Sequence, residues 1–194
     1  TGAAEAMRRA ALAEIAREVK GRDQREVALL DLACGTGRFL RETMRAFPRL
    51  RAMGLDLSPN YAERAREMVA PWPHVDVVEG QAEVLPFEDA TQDIVVSIYL
   101  FHELPEKVRE QAIAEAWRVL KPGGAFIVAD SLQFGDSEGL DGILEYFPEG
   151  FHEPYYKAYL GWDFGPAMNQ AGFKKERTQL AFLTKVNVWR KDKG

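Results

Sequence analysis

The sequence predicts an α/β fold: a doubly wound, mostly parallel sheet with helices on both faces. Three observations point there. Strand-like and helix-like stretches alternate through residues 27–131, an order that gives parallel strands joined by right-handed helical crossovers. The strand-like stretch at 27–32 is apolar almost without a break, which marks a strand covered on both faces. A glycine-bearing turn, Cys34-Gly35-Thr36-Gly37, leads from that strand straight into a helical pattern.

Each element has its own signal. Residues 3–20 are alanine-rich, with Leu12, Ile15 and Val19 at helical spacing, and Gly21-Arg22-Asp23 ends that helix. The first strand at 27–32 is followed by a helix at 38–47, stopped by Pro48. The second strand is read at 51–57. Ser58-Pro59 then supplies an N-cap and a first-turn proline for a helix to about residue 70. A third strand is read at 75–79, and a fourth, rich in β-branched residues, at 93–100. The helix at 105–120 carries apolar Val108, Ile113, Trp117 and Leu120. Pro122-Gly123-Gly124 reads as a turn into a fifth strand at 125–130. A last helix at about 160–171 ends at Gly172, and 174–191 reads as two short strands in a hairpin.

In such a sheet the carboxyl ends of the strands share one edge, where ligands bind. Asp31 and Gly35, Asp56, residues 81–83 and residues 97–102 all fall there. The turn exposes main-chain N–H groups at a helix N-terminus. An acid about 20 residues beyond it, Asp56, suits the ribose hydroxyls of a nucleoside. The dinucleotide fingerprint wants a third glycine at position 40, which is Leu40.

The string Asp31-x-Ala33-Cys34-Gly35-Thr36-Gly37 closely resembles motif I of the class I S-adenosylmethionine-dependent methyltransferases, with Ala33 where that family often has glycine. The resemblance continues in order. Gly54-Leu55-Asp56-Leu57-Ser58-Pro59 resembles the second-strand acid. Glu79-Gly80-Gln81-Ala82-Glu83-Val84-Leu85-Pro86-Phe87 resembles the adenine-contacting segment. Residues 93–104 resemble the fourth strand with its exit loop, and Leu120-Lys121-Pro122-Gly123-Gly124 the turn into the fifth. Five matches in order and spacing make a specific signal over residues 27–131. Within the family the chain is similar to the small-molecule branch called methyltransferase type 11 or UbiE-like.

The resemblance implies a Rossmann-like, seven-stranded sheet with an antiparallel strand near the C-terminus, and S-adenosyl-L-methionine as cofactor, leaving S-adenosyl-L-homocysteine as product. It implies cofactor contacts at Asp31, Ala33, Cys34, Gly35, Gly37, Asp56, Leu57, Gln81, Ala82, Glu83 and Ser97. Asp56 would take the ribose diol, the main-chain N–H of Ala82 would meet adenine, and Asp31 would act directly or through water. His102 is the candidate catalytic base, against a plainer role packing or capping the helix after Pro105. His152 and Tyr155 are weaker candidates. Cys34 is expected to be packed and not nucleophilic, since methyl transfer needs no such group. His102, Glu103, His152 and Glu153 match no recognised metal-ligand spacing, so no metal is expected.

Composition narrows the rest. The chain has 194 residues, 46% apolar and 28% charged, with net charge −5. That length suits one domain: an N-terminal helix to residue 22, a cofactor-binding core at 27–131, an insertion at 132–160, and a closing helix and hairpin at 161–194. The absence of a long Lys/Arg block disfavours nucleic acid and anionic membranes. No apolar run is long enough to span a bilayer. The lone cysteine and the lack of a secretory signal suit a reducing, cytoplasmic setting. The chain opens on Thr1, which leaves room for a preceding segment. A monomer or homodimer is expected.

Nine of the 21 aromatic residues fall within 133–164: Phe134, Tyr146, Phe147, Phe151, Tyr155, Tyr156, Tyr159, Trp162 and Phe164. Following the fifth strand, this stretch should overhang the binding edge as a lid or wall for an apolar or aromatic acceptor, or else serve as a packing insertion. The expected activity is O- or C-methylation of a small molecule. Two alternatives are a non-catalytic subunit that binds the same cofactor, and an NAD(P)-dependent oxidoreductase. The latter lacks its third glycine and any Tyr-x-x-x-Lys constellation.

Overall fold

The computed structural model describes residues 2–150 and 153–193, with side chains for all of these except 3, 4 and 147–150. Its elements run α1 (Gly2–Val19), β1 (Ala28–Leu32), α2 (Arg38–Ala46), β2 (Arg51–Asp56), α3 (Pro59–Val69), β3 (Asp76–Glu79), β4 (Gln92–Ile98), α4 (Glu106–Val119) and β5 (Leu120–Ser131). They continue with α5 (Asp141–Gly150), α6 (Tyr156–Leu160), α7 (Phe164–Ala171), β6 (Phe173–Ala181) and β7 (Thr184–Lys191). One seven-stranded sheet has the order β3-β2-β1-β4-β5-β7-β6. The pairs among β1 to β5 are parallel, and β7 runs antiparallel to both β5 and β6.

The unbroken apolar strands are two alternating sets. Leu29, Ile94, Val96, Ala125 and Ile127 pack on α1, α2 and α3 through Ile15, Leu40 and Ala65. Leu30, Leu32, Val95, Phe126 and Val128 pack on α4, α6 and α7 through Ile113, Tyr159 and Met168. Both faces of these central strands are covered, and their buried polar side chains, Asp31, Ser97 and Asp130, each stand one residue before the strand's carboxyl end.

Local sequence sets the boundaries. Ser58 caps α3, its hydroxyl accepting from Tyr61 N–H, with Pro59 in the first turn. The expected helix at 160–171 is two helices, α6 and α7. Asp163 caps α7 by accepting from Gly165 N–H at 2.8 Å, so the chain restarts a helix there. The expected insertion contains a helix of its own, α5. β5 begins earlier than the Gly123-Gly124 turn suggests. Gln92 pairs with Leu120 but Ile94 with Ala125, so Lys121 to Gly124 form an irregular excursion within the strand pairing. Among the described residues, no helix is long and apolar enough to cross a membrane.

Candidate functional site

The carboxyl ends of β1, β2, β4 and β5 and the loop after β3 form one rim. β1 and β4 are sheet neighbours, yet the chain leaves them in opposite directions, to β2 on one side and β5 on the other. Such a switch in winding opens a crevice above the sheet.

The β1–α2 turn is held by its backbone. Ala33, Gly35 and Gly37 have φ of 59°, 55° and 75°, the left-handed region that costs a residue with a Cβ about 1–2 kcal/mol. The N–H of Cys34 donates to Leu55 C=O at 2.9 Å, and Gly37 N–H donates to Cys34 C=O at 3.0 Å. The two glycines have different reasons to be glycine. A Cβ on Gly35 would meet nothing within 4 Å, so its face is open. A Cβ on Gly37 would lie 2.8 Å from Ala65 Cα, so this glycine lets α3 approach. The Cys34 thiol is buried, and a Cβ on Gly54 would strike it at 2.8 Å. Burial, and then Asp31 and Asp56, hold its pKa above the usual thiol range. It is a packed, neutral thiol.

Asp56 ends β2 and is oriented by two main-chain donors: Gly35 N–H to Oδ2 at 2.8 Å and Ser58 N–H to Oδ1 at 2.9 Å. Each oxygen has a further lone pair. Leu57 beside it is 64% exposed. Asp31 is 1% exposed, and its Oδ2 has no hydrogen-bond partner among the described residues. Burial, and then the charge of Asp56, push its pKa up to about 7. An unpaired buried carboxyl is costly unless a ligand satisfies it. Ser97, near the end of β4, is equally buried, and its Oγ has no partner among the described residues.

After β3, Gln81 is exposed and pairs across a tight bridge with Val84, Ala82 tucks its methyl into the α4-side core, and Glu83 is half-buried. Two residues on α4 pin this loop. Glu115 accepts from Leu85 N–H at 2.7 Å, and Arg118 donates to Leu85 C=O at 3.0 Å and to Phe87 C=O at 2.8 Å. Arg118 is itself locked to Glu115 at 2.7 Å.

Beyond β4, Tyr99 has φ 56°, a strained conformation for a bulky residue, and its hydroxyl meets Thr184 Oγ1 at 2.5 Å. A short turn, Phe101–Glu103, carries His102. Asp130 near the end of β5 organises that turn. Its Oδ2 accepts from Phe101 N–H at 2.8 Å, and its Oδ1 lies 2.6 Å from His102 Nδ1. The other ring nitrogen, Nε2, faces Glu153 at 3.7 Å and Glu103 at 3.8 Å. Burial disfavours the imidazolium, but the Asp130 hydrogen bond and the charges of Asp130, Glu153 and Glu103 outweigh it, so the His102 pKa is raised. Tyr99, Tyr156 and Tyr159 stand edge-on to the imidazole at 5.9, 5.6 and 6.1 Å.

The aromatic segment therefore meets the rim with part of its rings turned inward. Tyr156, Tyr159 and Phe164 are buried, whereas Tyr146 is 71% exposed, with Phe134 and Tyr155 also at the surface. Phe151 and His152 lie outside the described residues, as does the side chain of Phe147. Among the described residues, no His/Cys/Asp/Glu group is arranged to hold a metal ion. Asp130, Glu115 and Arg118 are not singled out by sequence. Asp130 carries a legible signal, an acid ending a strand on the same edge as Asp31 and Asp56. Glu115 and Arg118 act only through the fold.

Residues 29–124 match the family described as "Methyltransferase domain". The chain is 32% identical over 157 residues to an uncharacterized methyltransferase of Synechocystis sp., covering 78% of this chain and 69% of that protein. It is 29% identical over 167 residues to the malonyl-[acyl-carrier protein] O-methyltransferase of Halalkalibacterium halodurans, covering 84% of this chain and 53% of that protein. The chain thus spans about half the length of that relative. A solved SAM-dependent methyltransferase from Aquifex aeolicus has the same fold, with 19% identity and a TM-score of 0.66, over 92% of this chain and 88% of the other.

Proposed function

This chain belongs to the class I S-adenosylmethionine-dependent methyltransferase family, and on that premise we propose that it methylates a small acceptor with an apolar or aromatic body, at oxygen or carbon. The observation that carries this reading is the His102–Asp130 pair, set in tyrosine rings on the same rim as the glycine turn. The rim's residues fit the family's cofactor. The partnerless Oδ2 of Asp31 suits an ammonium group, and the open face of Gly35 leaves room for close approach of a ligand to the backbone. The remaining lone pairs of Asp56 suit a ribose diol, and Leu57 and residues 81–83 suit the flat faces and edge of an adenine. Cys34 and Gly37 shape the turn from beneath.

The cofactor, when bound, supplies a methyl group already activated on a sulfonium. The chain's part is to align an acceptor and exclude water, and such alignment can contribute roughly 7–11 kcal/mol. Asp130 holds the proton of His102 on Nδ1, which leaves Nε2 as the acceptor of a proton from the substrate's O–H or C–H. The upward shift of the His102 pKa means that this base is fully neutral only above the ordinary histidine range. The tyrosines around it supply an apolar wall that lowers the competing access of water.

The test is transfer of a labelled methyl group from S-adenosylmethionine to a panel of phenolic and quinol-like acceptors. Label is expected in at least one of them, with a rate that rises with pH to a midpoint above 6.5, the ordinary histidine value. His102→Ala and Asp130→Asn are expected to lower kcat by about 10²–10⁴-fold, with cofactor affinity unchanged. Tight cofactor binding without transfer to any acceptor would favour a non-catalytic partner subunit. Unchanged kcat in His102→Ala would remove the base.

A further inference from the structure

Taking the acceptor's place to be beside His102, we propose that Arg109 is a positioning residue: a latch that holds the 153–164 segment closed against the turn carrying His102. Arg109 lies in the early turns of α4 and is 1% exposed. A guanidinium so buried ordinarily pairs with a carboxylate. This one has no ion pair among the described residues. It spends its donors on two main-chain carbonyls, Nε to Phe101 C=O at 2.9 Å and Nη2 to Tyr155 C=O at 3.0 Å. Phe101 belongs to the His102 turn and Tyr155 to the overhanging segment.

Among the described residues, no main-chain hydrogen bond joins that turn to that segment. Arg109 therefore bridges two pieces of chain that do not otherwise hold each other by backbone. The flat cation also lies over the rings of Tyr159 at 5.4 Å and Trp162 at 5.2 Å, which belong to the same segment. Its Nη1 has no partner among the described residues, and burial lowers the Arg109 pKa. A latch that leaves a buried donor unsatisfied holds less firmly than a complete network, which suits a contact that must open for substrate to enter. Lysine offers one point of charge where arginine offers a fork, so it cannot span both carbonyls equally well.

The experiment is amide hydrogen exchange on the intact chain loaded with S-adenosylhomocysteine, comparing wild type, R109K and R109Q. In R109Q, amides of α6 and of residues 161–164 should exchange at least tenfold faster, while those of β1, β4 and β5 keep wild-type protection. R109K should fall between. Affinity for S-adenosylhomocysteine should stay within twofold, and in turnover the KM for an acceptor should change far more than the KM for the cofactor. Wild-type protection of the segment in folded R109Q would overturn the latch. So would an equal loss of protection in the core strands, or an R109Q chain that cannot fold, since each assigns Arg109 to general stability. Because exchange needs no turnover, failure of methyl transfer leaves this result interpretable, and loss of the latch leaves methyl transfer intact as a reading.

Discussion

Asp31 is a carboxyl placed where the fold cannot satisfy it. Its ordinary pKa is 3.8 and the buried value is about 7, so between these the folded chain keeps a proton that the unfolded chain has lost. Stability of the cofactor-free protein should therefore fall as pH rises from about 4 to about 7, the reverse of a paired aspartate. A cationic group beside Asp31 favours the carboxylate. Cofactor binding should then release protons near and below pH 7 and tighten as pH rises towards 7. Asp31→Asn should flatten both profiles. Calorimetry in two buffers of different ionisation heat checks this, and proton release identical in wild type and Asp31→Asn would remove Asp31 from the coupling. The two glycines of the turn separate in the same way. Gly37→Ala drives a Cβ into Ala65 and should lower stability by about 1–3 kcal/mol. Gly35→Val meets no protein atom at its Cβ, so beyond backbone strain it should act on cofactor affinity. Thermal melts with and without S-adenosylhomocysteine distinguish them, and equal losses of stability in the two variants would contradict the open face of Gly35.

Elements carry the site where single residues do not. The loop after β3 owes its shape to α4, through Glu115 and Arg118. Arg118→Ala removes donors from Leu85 C=O and Phe87 C=O, carbonyls that anchor the loop to α4. Cofactor affinity should still fall by about 1–2 kcal/mol, as the loop must be ordered on binding. Titration calorimetry measures the loss, and faster amide exchange at 82–88 should accompany it; unchanged affinity would make the pinning irrelevant to the site. This contact illustrates what sequence makes legible. The β1 turn, the Ser58-Pro59 helix start and the alternation of strand and helix are local signals, and each lies where expected. Ala33 stands where the family often has glycine, and its left-handed φ gives the reason glycine is preferred there. Asp130, Arg109 and Arg118 reach partners 28 to 46 positions away in sequence, and no short window of sequence contains both ends of such a contact. The break between α6 and α7 depended on one capping aspartate within an apolar pattern. The excursion at Lys121 to Gly124 depended on pairing with β4, which the turn residues alone do not specify.

On the scale of the molecule, the sheet separates support from chemistry. One face is closed by α1, α2 and α3. α1 is tied to the far strands by Arg190–Glu18 at 2.7 Å and Arg177–Glu14 at 3.0 Å, and to α2 by Arg8–Glu42 at 2.9 Å. The other face is closed by α4, α6 and α7, and α6 also meets the rim, with Tyr156 and Tyr159 on the His102 ring. The proposed latch at Arg109 acts on this second side alone, where the 153–164 segment is also tied to the end of β5 and the chain just after it by Tyr159 Oη to Ser131 C=O at 2.7 Å and Phe134 N–H to Leu160 C=O at 3.0 Å. What gathers Asp31, Gly35, Asp56 and Ser97 is strand direction alone, since all are at or near carboxyl ends of parallel strands. A crystal structure of the chain with S-adenosylhomocysteine at saturating concentration tests that gathering most directly. The ribose hydroxyls should lie on Asp56, the amino group within reach of Asp31, and the sulfur towards His102. A nucleoside seated away from this edge, or no density for it at all, would contradict the account.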